Sequence, residues 1–257
     1  MRSLALILTV IVALPAQAAK CTAESGNRTT ALVELYTSEG CSSCPPADRW
    51  LSALGTRGYA PDRVVPLSLH VDYWDYIGWK DGFAKGEFSS RQRKLGQQQR
   101  LAFVYTPQVM LQGKDFRAWS SSAFDQALDR INAQPARAHL GLEIESLDRK
   151  AVTVKVRADL PDSGSSKDVV LYLATYENKL ASDVTAGENR GERLKHDYVV
   201  LEWVGPIEFA TGPSLTERRA LPLLPKAVPG HSGVAAFVQN RRTTEVLQAL
   251  MLPACSG

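Results

Sequence analysis

Four cysteines constrain this chain more than any other feature. Cys41 and Cys44 are separated by two residues, whereas Cys21 and Cys255 lie near opposite ends of the 257-residue sequence. Four cysteines allow three pairings, and the spacing favours a local pair together with a bridge between the ends. Because that bridge closes a very long loop, it would stabilise the fold by roughly 5 kcal/mol in the chain-entropy model. We therefore expect Cys21 and Cys255 to form a structural disulfide.

Residues 1–18 have the pattern of a cleaved signal peptide. A cationic start at Arg2 precedes the apolar run Leu4–Leu14, which only Thr9 interrupts, and a small-x-small motif ends at Ala18. The apolar run is too short to cross a bilayer, which needs roughly 20 residues, and no later run is long enough. We expect a periplasmic or secreted protein with no membrane span, in a compartment where disulfides persist.

Composition supports a globular protein with a hydrophobic core. The chain is 44% hydrophobic and 22% charged, with a formal net charge of +3 and no block of basic residues. The first two values exclude a disordered chain, and the mixed charges give no reason to expect a nucleic-acid partner.

The first half of the chain alternates between strand and helix patterns. Residues 31–37 form a mostly apolar segment typical of a strand buried on both faces. A helical pattern follows Cys44, with apolar side chains spaced for one face, and residues 64–71 form a second apolar strand. Strand, helix and strand in this order predict a right-handed parallel crossover. The polar segment 84–103 is predicted to be a solvated helix.

The second half has the period of two that strands show. Val152, Val154 and Val156 alternate with polar residues, and five further short segments have strand patterns. Six or seven short strands without a helical period predict a β-sandwich-like domain. We therefore place an α/β domain at residues 19–134, with a helical insert at about residues 73–103, and an all-β domain at residues 138–257.

Cys41 and Cys44 stand where a helix would begin, and this position suits thiol chemistry. The unpaired N–H groups and the positive end of the helix dipole stabilise a thiolate. Cys41 would be the attacking thiol and Cys44 the resolving thiol, with protein or small-molecule thiols and disulfides as partners and no cofactor. A tetrahedral zinc site would need a second pair of ligands with suitable spacing, and the four histidines are scattered, so we predict no metal site.

Three segments together resemble the thioredoxin superfamily: Val33–Thr37, Cys41–Cys44 and Thr106-Pro107. More closely, residues 70–81 and 188–194 resemble an uncharacterised family of exported bacterial thioredoxin-like proteins with a C-terminal β domain. The resemblance implies a thioredoxin-like fold followed by a β domain. It also implies a cis proline at Pro107, beside Thr106, that faces the dithiol and docks an extended substrate.

Several other side chains are candidates for the same site, each with a structural alternative. Glu34 could carry protons for the resolving cysteine, or pair with a basic neighbour. Tyr73, Trp74 and Trp79 follow the second strand beside His70, and they could either receive an apolar partner or pack the insert. The charged segment 188–196 is expected to be a solvated loop, with docking against the first domain as the alternative.

Two other functions remain open at this point. The reduced cysteines, with His70, could bind copper, because Cu(I) prefers thiolates. Alternatively, Cys41–Cys44 could be an inert disulfide in a non-catalytic interaction protein. The main hypothesis is an exported thiol–disulfide oxidoreductase.

Overall fold

The computed structural model describes residues 21–161, 167–210, 212–225 and 227–255. The predicted signal peptide at residues 1–18 lies outside them. The described residues are mostly β, with 43% in strands and 20% in helices. The α-helices of this part are α1 (Pro45–Ser52), α2 (Gly86–Gln98) and α3 (Ser122–Asn132).

The described strands form three sheets. In chain order they are β1 (Cys21–Glu24), β2 (Ala31–Thr37), β3 (Val64–His70), β4 (Gln108–Leu111), β5 (Lys114–Asp115), β6 (His139–Leu147), β7 (Ala151–Asp159), β8 (Val169–Glu177), β9 (Leu180–Asp183), β10 (Arg193–His196), β11 (Val199–Glu208), β12 (Ser214–Pro222), β13 (Ser232–Asn240) and β14 (Val246–Pro253).

An eight-stranded mixed sheet in the order β14-β13-β8-β11-β3-β2-β4-β5 organises the molecule. Strands β2 and β3 run parallel in register, joined by a connection that contains α1. Strand β11 of the second half adds to the other edge of β3 through Val199 and Ser68. Strands from both halves of the chain therefore share one hydrogen-bonded sheet.

Strand β2 is buried on both faces, and the alternation of its side chains separates two cores. Val33 and Leu35 pack with α1 and α3, in the core that contains Leu51. Leu32 and Tyr36 point to the other face and pack in the core that contains Phe88 of α2. Residues of opposite parity on β2 therefore belong to different environments.

A four-stranded sheet in the order β1-β6-β7-β12 covers another part of the large sheet. Strand β7 alternates buried and exposed residues, as expected for a strand with one solvated face. Its valines pack with residues of β8 and β13 in a third core. The disulfide between Cys21 and Cys255 links β1 to the segment that follows β14.

The predicted fold class, an α/β thioredoxin-like domain followed by an all-β sandwich-like domain, is wrong. The strand-helix-strand unit around α1 is present, but its sheet continues through β11 into β8, β13 and β14. Periodicity identifies strands, but it does not show which strand will pair with an open sheet edge. The local strand-helix-strand motif therefore does not identify the complete fold.

None of the helices in the described residues is both long and apolar enough to cross a membrane.

Candidate functional site

Cys41 and Cys44 form a disulfide at the start of α1, with their Cα atoms 5.4 Å apart. Cys44 is the N-cap residue, and prolines occupy the next two positions. Proline suits the first turn because its missing N–H would have no intrahelical acceptor there. The carbonyl of Cys44 accepts hydrogen bonds from the N–H groups of Ala47 and Asp48. The disulfide thus lies at the positive end of the helix dipole.

Both sulfur-bearing residues are covered. Cys41 is 1% exposed and Cys44 is 0% exposed, although Ser42 and Ser43 between them are exposed. The Cys41 Sγ lies 3.3 Å from the hydroxyl of Ser43. In this conformation a partner molecule reaches the serines of the motif more easily than its sulfur atoms.

The covering loop, residues 184–192 between β9 and β10, lies against the disulfide segment. The Asn189 amide donates to the carbonyl oxygens of Glu39 (2.8 Å) and Cys41 (3.0 Å). The Glu188 carboxylate accepts from the backbone N–H (2.9 Å) and the hydroxyl (2.7 Å) of Ser42. These two hydrogen bonds lower the pKa of Glu188. This part of the segment 188–196, expected to be a solvated loop, therefore docks on the cysteine motif.

A buried acid–histidine cluster lies beside the disulfide segment. Its members are Glu39, Asp48, His70, Asp81 and His196, all of which are buried. The Nδ1 of His70 is 2.7 Å from a carboxylate oxygen of Asp81, and the Nε2 of His196 is 3.2 Å from one of Glu39. The two imidazole rings meet edge to face with their centroids 4.9 Å apart. Glu39 precedes Cys41 by two residues and Asp48 follows Cys44 by four, so the chain itself places the cluster beside the disulfide.

Burial and mutual attraction shift the pKa values within the cluster. Desolvation raises the pKa of Asp48, against the attraction of His196 and His70. Desolvation opposes the charge on His70, but the attraction and hydrogen bond of Asp81 outweigh it and raise the pKa of His70. The same pairing overcomes desolvation and lowers the pKa of Asp81. His70 and Asp81 therefore favour their charged forms, whereas Asp48 resists ionisation.

Three polar atoms of the cluster have no hydrogen-bond partner among the described residues: Asp48 Oδ1, His70 Nε2 and His196 Nδ1. A buried polar atom left without a partner costs about 1–3 kcal/mol. Unsatisfied, ionisable groups gathered at one place are more typical of a chemically active site than of a structural core.

Glu34 lies elsewhere. Its parity on β2 places it on the sheet face opposite α1, where the Arg91 guanidinium donates to both carboxylate oxygens at 2.5 and 3.1 Å. Tyr36 also donates to Glu34 at 3.2 Å. The structure thus places Glu34 in a buried ion pair rather than in the acid–histidine cluster.

Thr106, Pro107 and Trp74, three further residues of the predicted site, lie close to one another. The Thr106–Pro107 peptide bond is cis, and Pro107 directly precedes β4, whose first residue pairs with Tyr36 at the end of β2. Trp74 donates its indole N–H to the Thr106 hydroxyl at 2.7 Å. A side chain at Gly40 would come within 3.2 Å of the Trp74 Cβ, so Trp74 packs between Gly40 and Thr106.

Two aromatic candidates make different contacts. Trp79 donates its indole N–H to Glu39 at 2.9 Å, which connects it to the acid–histidine cluster. Tyr73 donates instead to Gln92 of α2 at 3.1 Å.

Sequence reasoning did not identify Glu39, Asp48 and Asp81 as site residues, although a carboxylate one helical turn after Cys44, as in Asp48, must lie near the start of α1. Asn189 and His196 fall in the segment 188–196, for which docking against the first domain was only the alternative. Their individual contacts could not be predicted, because those contacts span about 150 residues of sequence.

A groove of about 460 Å³ runs beside the motif, between α1 and β10. Ser42, Pro45 and Asp48 line one side, and the covering loop and His196 line the other. Arg49, Arg190 and Lys195 on its rim are exposed. The groove therefore offers a partially basic approach to the cysteine motif.

Within the described ranges, no three His, Cys, Asp or Glu side chains are arranged to hold a metal ion.

A family model described as "Protein of unknown function (DUF1223)" matches residues 32–239, and the chain belongs to that family. A comparison with curated protein sequences finds no match.

Two solved structures share the fold. Protein AGR_C_4864 from Agrobacterium tumefaciens is 24% identical, with a TM-score of 0.65, over 91% of this chain and 98% of that one. HBP35 of Porphyromonas gingivalis is 15% identical, with a TM-score of 0.68, over 91% of this chain and 79% of that one.

These findings correct the resemblance to the thioredoxin superfamily. The matched family and the two solved structures carry no thioredoxin description, and the eight-stranded sheet is not that of a thioredoxin-like domain. The motifs Cys41–Cys44 and Thr106-Pro107 are short, and short motifs identify a local arrangement rather than a superfamily.

Proposed function

We propose that this DUF1223 protein is an exported thiol–disulfide oxidoreductase that exchanges electrons with thiols or disulfides through Cys41 and Cys44. The observation that carries the proposal is the position of this disulfide at the start of α1, beside a buried acid–histidine cluster with three unpartnered polar atoms. A purely structural disulfide needs no such cluster.

The exchange conserves electrons in two steps. In the reduced protein, the Cys41 thiolate attacks one sulfur of a substrate disulfide, forms a mixed disulfide and releases the first substrate thiolate. The Cys44 thiolate then attacks the Cys41 sulfur, which releases the second substrate thiolate and restores the Cys41–Cys44 disulfide. The helix dipole stabilises both thiolates, and the reverse sequence oxidises a substrate dithiol.

Asp48 is suited to accept the Cys44 proton before the second step. It stands one turn after Cys44, it is buried, and one of its carboxylate oxygens has no partner in the described structure. Because its pKa is raised, Asp48 is a stronger base than an exposed aspartate. The attraction of His196 and His70 partly offsets desolvation and favours the ionised form of Asp48, which is the form that can accept the proton.

Substrate access requires the covering loop to move away from Cys41. Asn189 makes two hydrogen bonds to this segment and Glu188 makes two more, so the polar contacts between the loop and the cysteine motif are few. Polar contacts of this kind contribute about 0.5–1.5 kcal/mol each, or up to about 3 kcal/mol where a charged group takes part. Opening is therefore compatible with catalysis on the timescale of loop motion.

Export is supported by the pairing of all four cysteines. Both disulfides lie within the described residues, and disulfides persist in oxidising compartments. The signal-peptide pattern at residues 1–18 points to the same location.

The low exposure of Cys41 favours one other candidate, an inert disulfide in a non-catalytic interaction protein. The two functions differ in reduction potential. An inert structural disulfide has a potential below about −300 mV, whereas an exchange catalyst lies above it.

Insulin reduction tests the proposal. The mature protein should accelerate insulin reduction by dithiothreitol, and Cys41→Ser should abolish the effect. The double variant C21S/C255S removes only the other disulfide and should retain activity, which makes it the matched control. Equal rates for the wild type and Cys41→Ser, together with a potential below about −300 mV, would establish the inert disulfide instead.

A further inference from the structure

A second cavity, the aromatic cleft, lies on the sheet face opposite α1. It has a volume of about 330 Å³ and opens between α2 and the large sheet. Its lining includes Ser90, Lys94, Tyr172, Trp203, Pro206 and Thr244. The volume is at the lower end of the range for small-molecule sites, roughly 300–1,000 Å³.

One wall of the aromatic cleft is apolar and held rigidly. The rings of Tyr172 and Trp203 have centroids 5.3 Å apart, and the Arg91 guanidinium stacks 4.7 Å from the first and 4.9 Å from the second. Glu34 already neutralises Arg91. Arg91 therefore fixes the ring positions, and its charge is not free for a ligand.

An irregularity in β11 shapes the same wall. The pairing of β11 with β8 shifts register between Val204 and Ile207, as in a β-bulge. Gly205 lies within the shift at a φ of 139°, and a Cβ there would come within 2.5 Å of the Tyr172 ring. Only glycine allows this approach, which brings Trp203 and Pro206 to the cleft.

The facing wall is polar. Ser90, Lys94 and Gln98 stand four residues apart and line the cleft from one face of α2. In the described part of the chain, Lys94 forms no salt bridge. The hydroxyl of Thr244 is buried without a partner there, at a residue held at a φ of 66°. An aromatic wall thus faces the exposed ammonium of Lys94 and a buried hydroxyl without a partner, in a cleft that Glu87 and Arg241 also line.

We propose that the aromatic cleft binds a small, planar, apolar acid. The ring of the ligand would lie against Trp203 and Pro206, and its acidic group would meet the ammonium of Lys94. The apolar wall supplies affinity by burial and ring contact, and the cation selects the charge of the ligand. This site is on the opposite face of the sheet from the disulfide, and the proposal does not depend on the redox function.

Calorimetric titration with 2-naphthoate and its uncharged analogue 2-naphthalenemethanol tests this site. The wild type should bind both probes, with 2-naphthoate bound about tenfold more tightly, the ratio that corresponds to 1.4 kcal/mol. K94E should weaken 2-naphthoate at least tenfold while it changes the alcohol less than threefold. S90W should fill the cleft from an exposed helix position and abolish both.

The control is K150E, which makes the same charge change at an exposed position between β6 and β7 of the four-stranded sheet. It should leave the affinities for both probes unchanged. Unfolding midpoints of the variants confirm that each one is folded. Failure of the wild type to bind 2-naphthoate, or an affinity for 2-naphthoate that stays at the wild-type value in K94E or in S90W, would overturn the proposal.

Discussion

At the scale of single residues, two buried ion pairs lie on opposite faces of the same two strands. Glu34 of β2 pairs with Arg91 of α2, whereas His70 and Asp81 belong to the acid–histidine cluster beside α1. The first pair is enclosed by aromatic rings. The second adjoins unpartnered polar atoms and the disulfide segment. We expect the first pair to act on stability and the second to act on stability and chemistry.

Replacement of Glu34 should destabilise the fold without altering the disulfide. Glu34→Gln leaves the Arg91 guanidinium buried without its counter-charge, which costs about 3–5 kcal/mol. Urea unfolding should show this loss, and R91M in the same chain should recover part of it. The reduction potential of Cys41–Cys44 should not change. A shifted potential in E34Q would support the predicted role of Glu34 as a proton carrier.

The His70–Asp81 pair should make stability depend on pH. The pKa of Asp81 is lowered, so its contribution is present above its unfolded value near 4 and disappears as the pH falls through the lowered value. The pKa of His70 is raised, so its contribution is complete below about 6.5 and is lost as the pH rises through the raised value. The pair therefore stabilises most between about pH 4 and pH 6.5.

The double variant H70Q/D81N tests this window. Its unfolding free energy should fall below that of the wild type by the largest amount near pH 5.5. Between pH 5.5 and pH 9 this difference should shrink by about 1.4 kcal/mol for each unit by which the pKa of His70 is raised in the folded protein. Unfolding curves at pH 5.5 and pH 9 measure both values. A deficit that is the same at both pH values would show that the pair contributes only by packing.

At the scale of elements, sequence patterns identified the strand, the helix start and the cysteine pair around α1, because each depends on neighbouring residues. Pro45 and Pro46 at the start of the helix and the apolar spacing after Cys44 are local signals. The covering loop could not be predicted in the same way. Asn189 contacts Cys41 across 148 residues, and no short-range pattern encodes that contact.

Asn189→Ala should expose Cys41. The change removes two hydrogen bonds that hold the covering loop on the disulfide segment, so the loop should open more often. Reduction of the protein by a water-soluble phosphine, followed by maleimide labelling, should be several-fold faster than in the wild type. Asn178→Ala is the matched control, because it removes one hydrogen bond to the backbone of Tyr198 away from this loop. Equal reduction rates for N189A and N178A would show that the loop does not limit access.

At the scale of the whole molecule, two domains are predicted at residues 19–134 and 138–257. The eight-stranded sheet contains strands from both of them. Strand β11 pairs with β3, and Gln248 of β14 accepts from the backbone N–H of Thr30. Residue patterns predicted the strands of both halves. They could not predict this shared sheet, because pairing between distant strands depends on the complete fold.

A fragment of residues 19–136 should therefore fail to fold alone. Its β3 edge would lose β11, and the buried face beneath α2 would lose the residues of β8 and β13. Circular dichroism and urea titration should show no cooperative transition for the fragment. The same measurements on residues 19–257 provide the control, and a cooperative transition in the fragment would support two independent domains.

The bridge between Cys21 and Cys255 closes a covalent ring around the described residues, because it joins residues 234 positions apart. A pulling force applied to the chain outside these two cysteines would pass through this covalent link and would not reach the hydrogen bonds of the sheets. Enzymes that unfold proteins by translocating the chain from one terminus would therefore have to translocate two cross-linked chain segments at once, unless the disulfide is first reduced. As long as the Cys21–Cys255 disulfide stays oxidised, such enzymes should degrade this protein more slowly than other proteins of equal thermodynamic stability that lack such a bridge.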